Sequence, residues 1–125
     1  MNVNEINVLV LAYLGDTIYE DYIRKYLINK KIANVNSLQK ESVKYVSATA
    51  QSNFVTKMID ANFLTQEEID IVKRARNYKT TSHPKSCDII TYKYATGLEA
   101  LIGYLELSEK KDRLDEIMNY VLGDV

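Results

Sequence analysis

The sequence predicts an all-α fold, and three observations predict it. Only four glycines and one proline interrupt 125 residues, so the chain has few places where a helix must stop. Apolar residues recur three and four positions apart, and no stretch sustains the alternation of a half-buried strand. Residues suited to capping stand at the heads of several of these runs.

The first helix is expected from about Asn4 to Asn29. Its stretch Asn7 to Leu14 (NVLVLAYL) is so nearly apolar that it predicts a helix with no wet side. Asn36 to Gln39 reads as a capping box, followed by one helix to about Ala61 with Val43, Val46, Ala50, Phe54 and Met58 along one side. Thr65 to Glu68 (TQEE) is a second capping box, opening a helix to about Tyr78. KTTSHPKSCD, residues 79–88, is rich in small polar residues around Pro84 and reads as a loop. Asp88 is placed to cap a helix to about Leu107, and Ser108 to cap a last one to about Leu122. The pattern is five or so helices. With no repeat, low-complexity tract or linker, residues 1–125 are expected to form a single domain.

Composition bounds the function. Hydrophobic residues make up 46% and charged residues 26%, and no apolar run approaches the ~20 residues of a membrane span. The N-terminus, MNVNEINV, lacks a basic n-region. Cys87 is the only cysteine and His83 the only histidine, which excludes an internal disulfide and a zinc cage of those ligands. A cytoplasmic protein is expected. The net charge of −1 says little about partners, but its distribution says more. Lys73, Arg74, Arg76, Lys79, Lys85 and Lys93 face the single acid Asp88 between residues 73 and 93. Such a basic segment on an otherwise acidic chain suits a polyanion, or a merely solvated surface.

Two acids stand in unexpected company. Asp16 follows Gly15, and its helical neighbours are Leu9, Ala12, Tyr13 and Glu20. Glu99 is the only charged residue of ATGLEALIGYL, residues 95–105. A carboxylate in an apolar helix costs stability unless it is paired. Each acid pairs with a neighbouring Arg or Lys, or the two share a divalent cation with oxygen ligands. Magnesium typically takes one or two protein carboxylates with water and substrate phosphate. Gly15, Gly97 and Gly103 adjoin the acids, where missing side chains let helices approach closely.

These residues resemble a known family. LAYLGDTIYEDYIR, residues 11–24, is similar to the signature helix of ribonuclease III, whose core is L-G-D. ATGLEALIGYL is similar to that family's second acidic helix, with its E-A-L-I-G core. Between them, KRARNYKTTSHPK and DIITYKYAT are similar to segments of the short subfamily, Mini-ribonuclease III. The resemblance runs from about Val8 to Glu116. It implies a helical, homodimeric, magnesium-dependent endonuclease of double-stranded RNA (manganese substituting), associated in bacteria with trimming the ends of large-subunit ribosomal RNA. It places Asp16 and Glu99 on the catalytic, metal-holding acids, and it implies no appended double-stranded-RNA-binding domain. The pattern departs at Ala12 and Thr96, where ribonuclease III usually has two further acids. Thr96 and Glu20 are then candidates for the outer shell of the metal. Arg74, Arg76, Lys79 and Lys85 become candidates for phosphate contact, and Tyr13 for the dimer contact. The rival readings are a non-catalytic RNA-binding module that has lost acids, and a helical adaptor whose basic stretch meets an acidic partner.

Overall fold

The computed structural model describes residues 1–79 and 83–123. Thr80, Thr81 and Ser82 of the expected loop, with Asp124 and Val125, lie outside the described residues. Six α-helices follow in order: α1 Val8–Asn29, α2 Val35–Val46, α3 Ala48–Asp60, α4 Gln66–Asn77, α5 Ile89–Leu107 and α6 Lys111–Gly123. Among the described residues there is no strand, as the absence of alternation predicts. None of the helices is long and apolar enough to cross a membrane.

Helix α5 is the axis of the molecule. It packs against α1 most extensively, then α4 and α3, and touches α6. A helix surrounded in this way must be apolar all round. Residues 95–105 are accordingly all buried except Glu99. Close contact with α1 depends on two glycines facing each other. A Cβ on Gly15 would stand 1.7 Å from the Glu99 carbonyl oxygen, and one on Gly103 would stand 2.0 Å from the Leu11 carbonyl oxygen. The two backbones touch there, which no larger residue permits.

Several helix ends follow the sequence. Thr65 caps α4 in a complete capping box, its hydroxyl taking the Glu68 N–H at 3.2 Å while the Glu68 carboxylate accepts the Thr65 N–H at 2.9 Å. Asp88 caps α5 by accepting the Thr91 N–H at 2.8 Å.

Other ends correct the expectation. Residues 2–6 form a 3-10 turn and its caps, so α1 starts at Val8 behind its cap Asn7 and not at about Asn4. The expected helix from Asn36 to Ala61 is two helices. Asn34, not Asn36, caps the first through the Ser37 N–H. At Ser47 the backbone turns extended (φ −64°, ψ 153°) and a new helix starts. The Ser47 hydroxyl takes the Ala50 N–H at 3.2 Å, so serine caps where apolar periodicity suggested continuation. The break dissolves the single apolar stripe: Phe54 and Met58 are buried, whereas Val43 is 56% exposed. Ser108 caps no helix start. Its N–H donates to the Tyr104 carbonyl, and the Lys110 N–H reaches back to Leu105. Glu109 adopts the left-handed conformation (φ 58°), so residues 108–110 belong to the closing turn of α5. Nor does the start of α1 lack a wet side: Leu9, Val10 and Tyr13 are 40%, 56% and 84% exposed.

Candidate functional site

The Gly15–Gly103 contact decides what α1 brings to α5. With the Gly15 backbone on that of Glu99, the next residue, Asp16, is delivered beside the Glu99 side chain. Asp16 is exposed and Glu99 partly buried. The two carboxyls lie within hydrogen-bonding reach of each other, and Glu99 is pushed up to about 8. Burial is the main cause, followed by contact with Asp16 and its like charge; the Gln51 amide opposes the shift and Glu20 adds to it. Glu20 therefore stands within electrostatic range of Glu99, one turn along α1 from Asp16. Tyr19, one turn of α1 from Asp16, lies within electrostatic range of Glu99. It is fully buried and donates to the Tyr45 carbonyl at 2.6 Å. Burial, then the nearby Glu99 charge, raises its phenol, so it stays protonated.

A second buried acid shows how this protein treats a structural carboxylate. Glu68 is 5% exposed and is gripped by Arg113 through two bonds of 2.8 Å. Burial would raise its carboxyl, but Arg113 and the Thr65 backbone N–H outweigh that and lower it. Among the described residues neither Asp16 nor Glu99 has an ion-pair partner. The reading in which each pairs with a neighbouring Arg or Lys is thus not realised. Two adjoining acids without a cationic partner are the arrangement expected of a functional site.

Sequence reasoning missed Gln51. It is 4% exposed, on the same face of α3 as Phe54, Val55 and Met58. Its Nε2 donates to the Val46 carbonyl at 3.0 Å. Its Oε1 is buried without a hydrogen-bond partner. The signal was present: a glutamine three and four residues before Phe54 and Val55 occupies a core position of an amphipathic helix.

The donor set suits a hard cation. Two carboxylates beside an unsatisfied amide oxygen offer only oxygen, the chemistry of magnesium or manganese rather than zinc. Among the described residues no group of three or more His, Cys, Asp or Glu comes together, so Glu20 does not complete a three-acid cage. Thr96 is buried and donates its hydroxyl to the Tyr92 carbonyl at 3.0 Å. It lines a small hollow with Leu9, Ala75 and Tyr78.

The basic residues gather at another end. Lys73, Arg74, Asn77, Tyr78 and Lys79 line an open cleft with Asn7 at the start of α1, about 13 Å along that helix from Asp16 at 1.5 Å per residue. Arg74 donates to the Ile6 carbonyl at 3.1 Å. Arg76 turns instead to the Tyr94 hydroxyl (3.3 Å) and lies over that ring. Lys79, His83 and Lys85 are exposed, and Cys87 is half-buried beside the α5 cap. The exposed Val10 and Tyr13 share a face of α1 with Asp16 at three-residue spacing.

Residues 9–110 match the Ribonuclease III domain family. The chain is 43% identical over 121 residues to a protein of Enterococcus faecalis named Mini-ribonuclease 3, covering 97% of this chain and 92% of that one. It is 39% identical over 125 residues to the Mini-ribonuclease 3 of Streptococcus pneumoniae, covering 100% and 98%. Its fold matches a crystal structure of a Fusobacterium nucleatum protein with a TM-score of 0.86 at 39% identity, over 99% and 98% of the two chains.

Proposed function

Because the chain belongs to the ribonuclease III family and is a ribonuclease of its Mini-ribonuclease 3 branch, we propose that it is an endonuclease of double-stranded RNA whose chemistry is carried by Asp16 and Glu99 with magnesium, manganese substituting. The observation that carries this reading is the unpaired carboxyl pair at the Gly15–Gly103 contact. Asp16 and Glu99 would hold the ion. A divalent cation at such a site supplies an activated water for phosphodiester hydrolysis and neutralises charge on the scissile phosphate.

The remaining roles belong to the chain itself. Asp16, exposed on α1, is the oxygen donor that faces incoming substrate. Glu99, protonated at neutral pH when the acids stand alone, would hold a cation in its ionised form. Lys73, Arg74, Lys79 and Lys85 contact phosphates along the duplex, whose deep major groove side chains cannot read. Arg76 contributes from beside Tyr94. Thr96, its hydroxyl proton engaged, keeps an oxygen lone pair for a second-shell water, and Glu20 adds negative charge from one turn away.

The active unit is a homodimer. Val10 and the 84%-exposed Tyr13 form its contact, beside Asp16, and the two sites of the pair face one duplex. The substrate is precursor RNA of the large ribosomal subunit, in the cytoplasm, and residues 1–125 act as one nuclease domain.

The test uses end-labelled duplex RNA with magnesium. The parent yields discrete products that disappear in EDTA, and Asp16→Asn and Glu99→Gln yield none while remaining folded. Cleavage at the parental rate by either variant would remove that residue from the chemistry. A parent that binds duplex RNA without metal and leaves it intact would establish the non-catalytic module instead.

A further inference from the structure

The break between α2 and α3 fixes the Gln51 amide. In a continuous helix the Ala50 N–H would bond the Val46 carbonyl. Here Ala50 goes to the Ser47 hydroxyl at 3.2 Å, and the Val46 carbonyl accepts from Gln51 Nε2 at 3.0 Å instead. The amide has a second N–H, and the Gln51 side chain acts on Glu99 in the sense of a donor, holding its carboxyl down against burial. With Nε2 committed to Val46 at 3.0 Å, the orientation of the side chain is set, and Oε1 is left as a buried acceptor. Among the described residues it is the only buried side-chain polar atom without a partner.

An orphaned acceptor in a folded core costs stability, and its persistence asks for a reason. Apolar packing supplies none, because a residue of the same volume without the oxygen would fill the space. When a bound cation keeps Asp16 and Glu99 ionised, the two carboxylates offer Oε1 acceptors rather than donors. A water filling the coordination of a cation at Asp16 and Glu99 is a donor of the right kind.

We propose that Gln51 is a positioning residue of the carboxylate site: its Nε2 steadies the Glu99 carboxylate, and its Oε1 receives a hydrogen bond from a water in the shell of the bound cation. This rests on the metal-holding role assigned above to Asp16 and Glu99. A glutamine that only ties off the helix break would leave the cation unaffected.

Binding of Mn²⁺ alone, without RNA, is followed by the loss of the free-ion paramagnetic resonance signal for the parent, Asp16→Asn, Gln51→Met and Gln51→Asn. Thermal unfolding of each is recorded in EDTA. Methionine keeps the length and volume of glutamine without its amide. Asparagine keeps the amide but is one methylene too short to reach both Val46 and Glu99, and it decides the question if the methionine variant does not fold. The proposal expects Asp16→Asn to lose Mn²⁺ and both Gln51 variants to bind it about 10- to 100-fold more weakly. Gln51→Met removes the orphaned oxygen but also the donor to the Val46 carbonyl, so unfolding in EDTA serves to show which variants are folded. Mn²⁺ affinity within about twofold of the parent in a folded Gln51 variant, well short of a typical outer-shell effect, would overturn the proposal when Asp16→Asn has lost the ion. If Asp16→Asn binds Mn²⁺ as the parent does, the metal-holding assignment itself falls, and the role of Gln51 with it.

Discussion

Replacing Gly15 with alanine puts a methyl group where α5 already stands. The added Cβ would meet the Glu99 carbonyl oxygen at 1.7 Å, its carbonyl carbon at 2.6 Å and the Gly103 nitrogen at 2.9 Å. All three are backbone atoms, so no side chain can swing aside. Restoring an ordinary contact of 3.4 Å needs a displacement of 3.4 − 1.7 = 1.7 Å between α1 and α5. That displacement loosens the largest helix–helix interface of the molecule. Overpacking a core costs about 1–3 kcal/mol when side chains can yield, and a rigid backbone contact belongs at the top of that range. Alanine returns up to about 1 kcal/mol through its better helix propensity. A net loss of about 2 kcal/mol lowers Tm by roughly 8 °C for a domain of this length. Thermal unfolding followed by circular dichroism in EDTA measures it. Gly123→Ala is the control: nothing lies within 4 Å of a Cβ there, so its Tm stays within about 2 °C of the parent. A Gly15→Ala Tm no lower than that of Gly123→Ala would refute the backbone contact, and with it the reason Asp16 meets Glu99.

Arg113→Met strands Glu68, buried and otherwise gripped by that guanidinium, and costs about 3 kcal/mol at pH 7 in urea unfolding. The parental Glu68 carboxyl is depressed below 4.5, so its stabilising contribution is present above that value and lost as pH falls through the folded value. The deficit therefore shrinks in acid, and parallel stability curves from pH 7 to pH 3 would contradict the assignment. Glu99 has the opposite sign. Its folded value of about 8 lies above 4.5, so its contribution is whole below 4.5 and lost as pH rises through 8. Metal-free protein should weaken across that window by up to ~1.4 kcal/mol per pH unit, and Glu99→Gln should flatten the slope; an unchanged slope would show that Glu99 is not the titrating group. Combined removal of charge at Arg74 and Lys85 should weaken duplex-RNA binding and shallow its salt dependence, by about one unit of slope for each phosphate no longer neutralised. A binding curve with the parental slope would place the phosphates elsewhere. Tyr13→Asp should shift sedimentation toward the monomer, and a persistent dimer would remove Tyr13 from the contact.

Where local chemistry decides, the sequence was legible. The reciprocal Thr65–Glu68 bonds and the Asp88 cap involve residues three apart, and both stand where capping rules put them. Ser47 was not legible, because apolar residues continue at helical spacing on both sides, and a serine inside such a run reads as neutral. Ser108 misled for the related reason that a serine near a helix boundary suits either side of it. Asp16 and Glu99 stood out as lone acids among apolar neighbours, a real cost for the partly buried Glu99 but not for the exposed Asp16, and glycines beside them suggested the helix contact that joins them. The openness of α1 at Val10 and Tyr13 depends on which of its faces α5 covers, and Gln51 matters only through the break at Ser47. Those are properties of packing between distant segments, which no local pattern carries.

The central claim is that Asp16 and Glu99 act together on RNA through a shared cation. It is tested most directly by single-turnover cleavage of a duplex RNA with saturating enzyme and magnesium, comparing the parent with Glu99→Gln, an isosteric change that keeps the fold. The account predicts discrete products from the parent and none above background from Glu99→Gln at equal bound RNA. Products from Glu99→Gln at the parental rate would contradict it.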